Sequence, residues 1–131
     1  MIQHRKTSPR EEYRRQENQR IKDSASLADK FQQLKSLTVE LTQFGPEGLV
    51  KTSHIKYVVN LAHAKSLFQF NCSNIECVGG DFDLSEALAD AIAARERTVV
   101  GETICQGWRG KPTTERVRCR NILRYKLSLG Y

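Results

Sequence analysis

Leu37, Val39 and Leu41 alternate with Thr38, Glu40 and Thr42. Side chains of a strand point alternately to its two faces, so residues 37–43 predict a strand with one buried side. The segment Gly45-Pro46-Glu47-Gly48 breaks it, and Ile55, Tyr57, Val59 and Leu61 resume the alternation as a second strand. A third runs through Phe68-Gln69-Phe70 into Cys72, and the connection 62–66 is short enough to make it the hairpin partner of the second. Helical spacing occurs twice. Leu27, Phe31 and Leu34 predict a short helix over 26–34, and Leu84, Leu88, Ala91, Ile92 and Arg95 predict one over roughly 84–97. Asp83 and Glu86 precede the latter with the spacing of a capping box. Two final strands, 99–108 and 117–129, flank a loop holding Gly110 and Pro112. The order predicts an α+β domain, a small and mostly antiparallel sheet with two short helices.

Residues 1–24 fall outside this pattern. Their large apolar residues are Met1, Ile2, Tyr13 and Ile21, too few to offset the entropy of ordering. They predict a disordered or loosely helical basic tail, and Glu11 and Arg15 have spacing that would support a solvated helix. The division is a flexible tail over 1–24 and a single domain over 25–131. Hydrophobic residues make up 39% of the 131, which implies a modest core that benefits from a staple such as a metal.

Four cysteines supply the candidate staple: Cys72, Cys77, Cys105 and Cys119. Cys72-Ser-Asn-Ile-Glu-Cys77, followed by Gly79-Gly80, has the look of a metal-binding turn. Cys105 and Cys119 flank the last hairpin, which is expected to set them opposite each other across it. One tight turn plus two cross-strand residues can deliver four thiolates to a tetrahedral zinc ion. The arrangement is similar to zinc ribbons in cysteine count and hairpin only, over about residues 68–127. It departs from them in its second pair, where the spacing is not that of a knuckle. Alternatives are three cysteines joined by His54 or His63, a redox or catalytic thiol, inert buried cysteines, and an Fe–S cluster. The chain starts with charge instead of a secretory pattern and has no transmembrane-length apolar run, so it predicts a cytoplasmic protein without a membrane partner, where thiols stay reduced.

Charge adds a second candidate site. The formal net charge is +6, made up of +3 in residues 1–24, −2 in 25–100 and +5 in 101–131. In the last strand Val117, Cys119, Asn121, Leu123, Tyr125, Leu127 and Leu129 share one parity, and Arg116, Arg118, Arg120, Arg124 and Lys126 share the other. That places the apolar set inward and a basic stripe outward. Trp108, Arg109 and Lys111 lie in the adjoining loop, and an exposed aromatic beside a basic face suits stacking of single-stranded nucleic acid. The competing expectation is that Trp108 belongs to the core and that Glu40 and Glu102 neutralise part of the stripe. No phosphate-binding glycine loop, HExxH or nucleophile elbow occurs, so no enzyme is expected. The sequence predicts a zinc-stabilised module that binds RNA or DNA; its alternatives are an adaptor for an acidic protein and a thiol redox protein.

Overall fold

The computed structural model describes residues 9–74, 77–109 and 117–131. Helix α1 (Pro9–Asp23) and the short α2 (Leu27–Lys30) come first, followed by β1 (Ser36–Phe44), a turn of 3-10 helix and β2 (Lys51–Val58). Then come β3 (Gln69–Asn71), β4 (Asp81–Asp83), α3 (Ser85–Ala93), β5 (Thr98–Ile104), β6 (Trp108–Arg109), β7 (Val117–Arg118) and β8 (Ile122–Gly130). The principal sheet has four strands in the order β2-β1-β8-β5, and every pairing in it is antiparallel. The architecture is α+β, as the periodicity predicts.

Register explains which face is buried. Tyr57, Val39, Leu127 and Val99 form one row across the four strands, and Leu41 pairs with Tyr125 on the same face. Leu37, Val39, Leu41, Leu123, Leu127 and Leu129 are buried there, in one core with Leu27 and Leu34, with Phe68, Phe82 and Leu84, and with Leu88, Ala91 and Ile92 of α3. Burying each such side chain contributes about 1.5–3 kcal/mol. No residue on the opposite face is buried among the described residues. On the covered face, Tyr125 leans across Gly101 of the neighbouring strand, where a Cβ would collide with its ring.

Several elements differ from the sequence pattern, and the helix expected over 26–34 is only the four residues Leu27–Lys30. The third strand does not pair with the second: β3 pairs with β4 in a separate two-stranded sheet, so Cys72 and Cys77 both belong to the connection between β3 and β4. Strand β2 is an edge strand, and its Ile55 and Tyr57, although on the core side, are 50% and 38% exposed because little lies over that end. Helix α3 stops at Ala93; Arg95, at φ 52°, has already turned away. Asp83 does stabilise its start, through an acceptor bond from the Ser85 amide (2.9 Å) and not through a capping box.

The long final strand is also split. β7 pairs with β6 in its own two-stranded sheet, and Arg120, at φ 56°, interrupts the run before β8. Where composition predicts a disordered or loosely helical tail, residues Pro9–Asp23 form a helix of 15 residues. It buries no residue fully, but Arg10, Tyr13, Arg14, Glu17 and Ile21 make a half-buried row at helical spacing. Arg15 pairs with Glu12 at 3.4 Å on the solvent side, and exposed pairs of this kind contribute little.

Candidate metal centre

All four cysteines are buried and unbridged, and each reaches the site from a different irregular segment. Cys72 follows β3, Cys77 precedes β4, Cys105 follows β5, and Cys119 lies between β7 and β8. Three short backbone links hold these segments together. The Val78 and Trp108 amides exchange hydrogen bonds (3.0 and 2.9 Å), which joins the β3–β4 connection to β6. The Cys105 amide donates to the Asn121 carbonyl (2.8 Å), and the Cys119 amide donates to the Gly107 carbonyl (3.0 Å). Cys105 and Cys119 are therefore not opposite one another, as a plain hairpin would place them. Cys105 faces Asn121 and Cys119 faces Gly107, and the break in the last strand turns both sulfurs inward.

The four sulfurs lie within 4.8 Å of one another. Cys72 Sγ is 3.6 Å from Cys119 Sγ, and Cys77 Sγ is 3.5 Å from Cys105 Sγ. These separations exceed the ~2.05 Å of a disulfide and are close to the ~3.8 Å edge of a tetrahedron whose metal–sulfur bonds are ~2.3 Å. The four cysteines form a cluster that could hold a metal ion, and neither His54 nor His63 belongs to it.

The surroundings are shaped to the sulfurs. Gly79, at φ 73°, adopts a left-handed turn that suits glycine, and the Trp108 ring lies over it. Gly80 and Gly107 leave no room for a side chain: a Cβ on Gly107 would lie 2.6 Å from Cys77 Sγ, and one on Gly80 would overlap Cys105 Sγ. On the other side, Asn121 Nδ2 donates to Cys72 Sγ (3.5 Å) and Asn74 Nδ2 donates to Cys119 Sγ (3.9 Å). Burial pushes the Cys77 thiol up to about 12. The Cys72 thiol is also pushed up, first by its hydrogen bond with Cys105 and then by burial. Burial thus disfavours the charged form of both thiols.

Helix α1 reaches the same region. Arg10 donates to the Cys72 carbonyl (3.2 Å). Burial, with the charge of Asp81 next in importance, holds the Tyr13 hydroxyl up at about 12. The Asp81 carboxyl is itself raised by burial, with Arg14 and Arg10 opposing the shift.

The predicted cationic residues divide into separate environments. Arg118, Arg120, Arg124 and Lys126 are exposed, and Cys119, Asn121, Leu123 and Leu127 are buried, so the alternation survives the break in the strand. Arg118 donates to the Gln106 carbonyl (2.9 Å) beside the cysteine site. Arg124 pairs with Glu102 (2.8 Å) and lies over the Phe44 ring, 4.8 Å from its centroid. Lys126 is opposite Glu40, which also meets Lys56 (3.9 Å) and His54 (3.7 Å). The open sheet face thus sets Lys51, Lys56, Arg124 and Lys126 against Glu40 and Glu102, which offset part of its positive charge. Trp108 is half-buried against Gly79. Arg109 lies in β6, while Lys111 and Arg116 lie outside the described residues.

Sequence patterning missed Asn74, Asn121 and Gly107 as members of the site. A signal for them exists, because each cysteine is followed two positions later by Asn or Gly: Asn74, Gly79, Gly107 and Asn121. No protein-family model, curated protein or solved structure matches this chain. No described helix is long and apolar enough to cross a membrane.

Proposed function

We propose that the chain is a small non-enzymatic module held together by a structural zinc ion on Cys72, Cys77, Cys105 and Cys119. The observation that carries this reading is the convergence of four buried, unbridged sulfurs within 4.8 Å. An all-sulfur tetrahedral set suits zinc and leaves no coordination position for a substrate, which favours a structural over a catalytic role. A reducing compartment such as the cytoplasm suits four unpaired thiols. Native mass spectrometry of protein purified without added metal is expected to show one zinc per chain, with loss of folded charge states when a chelator removes it. A metal-free chain that keeps its folded charge states would overturn the proposal.

A second function concerns the exposed cations. Arg118 of β7, Arg120 in the break after it, and Arg124 and Lys126 of β8 are all exposed, and this favours an anionic partner, nucleic acid before an acidic protein. Arg118 and Arg120 are the better candidates within the set, since Glu102 already occupies Arg124. Arg118→Glu combined with Arg120→Glu is expected to abolish binding of single-stranded RNA or DNA while zinc content stays at one per chain. Binding to the wild type should weaken with salt by about 0.7–0.9 logarithmic units per decade for each phosphate contact. Binding that is insensitive to salt and to both substitutions would dispose of this surface.

A further inference from the structure

The cysteine site is not uniform around its circumference. The sulfurs of Cys77 and Cys105 sit against Gly80 and Gly107, where only backbone can approach. The sulfurs of Cys72 and Cys119 sit against two side-chain amides, and the arrangement is reciprocal: Asn74, two residues after Cys72, donates to Cys119, and Asn121, two residues after Cys119, donates to Cys72. Asn121 is only 3% exposed, and its backbone carbonyl is taken by the Cys105 amide. A carboxamide is costly to bury without a good acceptor, and a neutral thiol is a poor one. A thiolate is a strong acceptor. Four thiolates around a divalent cation carry a net charge of −2, and that charge would be buried here with the four cysteines. Among the described residues, these two amides are side-chain donors aimed at it.

We propose that Asn74 and Asn121 are the positioning residues of the metal centre, setting how firmly it retains its ion by hydrogen-bonding the thiolates of Cys119 and Cys72. This rests on the metal site proposed above and adds two residues that do not touch the ion. Each amide favours the charged sulfur over the protonated one and orients its lone pairs, as partners outside the coordination sphere do in other metal sites. Each also lowers the energy of the sulfur electrons, which a spectroscopic metal can report.

The test uses the full chain loaded with its metal, and in parallel with Co²⁺. Asn74→Ala, Asn121→Leu and Asn121→Asp are compared with wild type for metal held against a competing chelator and for the energy of the sulfur-to-cobalt charge-transfer band. Asn74→Ala and Asn121→Leu are expected to lose roughly 10–100-fold in metal affinity, with the band moved to longer wavelength. Asn121→Asp, which has nearly the same shape but sets a carboxylate against the thiolate, should retain metal least. Asn74 lies on the half-buried side of the site, so its variant keeps the test decisive if the Asn121 variants fail to fold. An unmoved band and wild-type retention in Asn74→Ala and Asn121→Leu would overturn the proposal while leaving the metal site standing. A wild-type chain that takes up no metal would overturn both.

Discussion

With the proposed zinc ion as its staple, the domain is expected to unfold on Cys119→Ser instead of being merely weakened. Structural zinc sites bind with about 10–16 kcal/mol, as much as the whole net stability of a typical domain, about 5–15 kcal/mol, so a chain that cannot hold its ion has no margin left. The architecture offers no substitute. Around the sulfurs lie two sheets of two strands each, with strands of three residues in one and two in the other, and such isolated pairs are marginal by themselves. The four cysteines are also part of the continuous core that includes Leu123 and Phe82, so the loss spreads to the principal sheet. The expected result is loss of the cooperative thermal transition by circular dichroism and loss of bound metal by mass spectrometry. Ser73→Ala, at an exposed neighbour of Cys72, serves as the control: it removes one exposed hydrogen bond to the Thr52 hydroxyl (2.9 Å) and should keep a cooperative transition close to that of wild type. A Cys119→Ser variant that melts at the wild-type temperature would contradict the structural role.

Gly107→Ala is expected to have the next largest effect, although it adds a single methyl group. That methyl would lie 2.6 Å from Cys77 Sγ, 2.7 Å from the Gly80 amide nitrogen and 2.7 Å from the Val78 carbonyl oxygen. None of these atoms belongs to a flexible side-chain end that could swing aside. Either the Val78–Trp108 bridge opens or the Cys77 sulfur leaves the cluster, and both break the coordination geometry. Overpacking in a core ordinarily costs about 1–3 kcal/mol, and loss of the metal would come on top of that. Gly80→Ala should behave alike, since its Cβ would overlap Cys105 Sγ and lie 2.8 Å from Cys77 Sγ. Gly45→Ala is the matched control: its nearest neighbour would be the Val50 carbonyl oxygen at 3.7 Å, an ordinary contact. Chelator-resistant metal content separates the three, with Gly45→Ala retaining its ion and the other two losing it. Wild-type metal retention by Gly107→Ala would mean that the glycines do not define the site.

The partly neutralised cationic face shows how far patterning reaches. Parity alone places Arg124 and Lys126 outward, because the backbone sends alternate side chains to opposite faces whatever strand lies beside them. Whether those charges are available depends on what stands opposite. Glu102 meets Arg124 only because β5 pairs with β8 in that register, and Glu40 faces Lys126 only because β1 lies on the other side. A sequence-local rule has no access to either neighbour.

The same division runs through the whole molecule. The sequence by itself determined the α+β class, the buried face of β1 from Leu37, Val39 and Leu41, the apolar stripe of α3, and the identity of the four cysteines that gather in the core. These depend on side-chain period and on residue chemistry, both of which are local. Only the tertiary structure decided that β3 joins β4 and not β2, that Cys105 faces Asn121 and Cys119 faces Gly107, and that Pro9–Asp23 lies as a helix beside the cysteine site. It also decided that Asn74 and Asn121 cross over to each other's cysteine. Backbone amides and carbonyls are alike in every strand, so pairing is chosen by what the remaining chain can bury together. The sulfurs meet where that choice brings four irregular segments to one point.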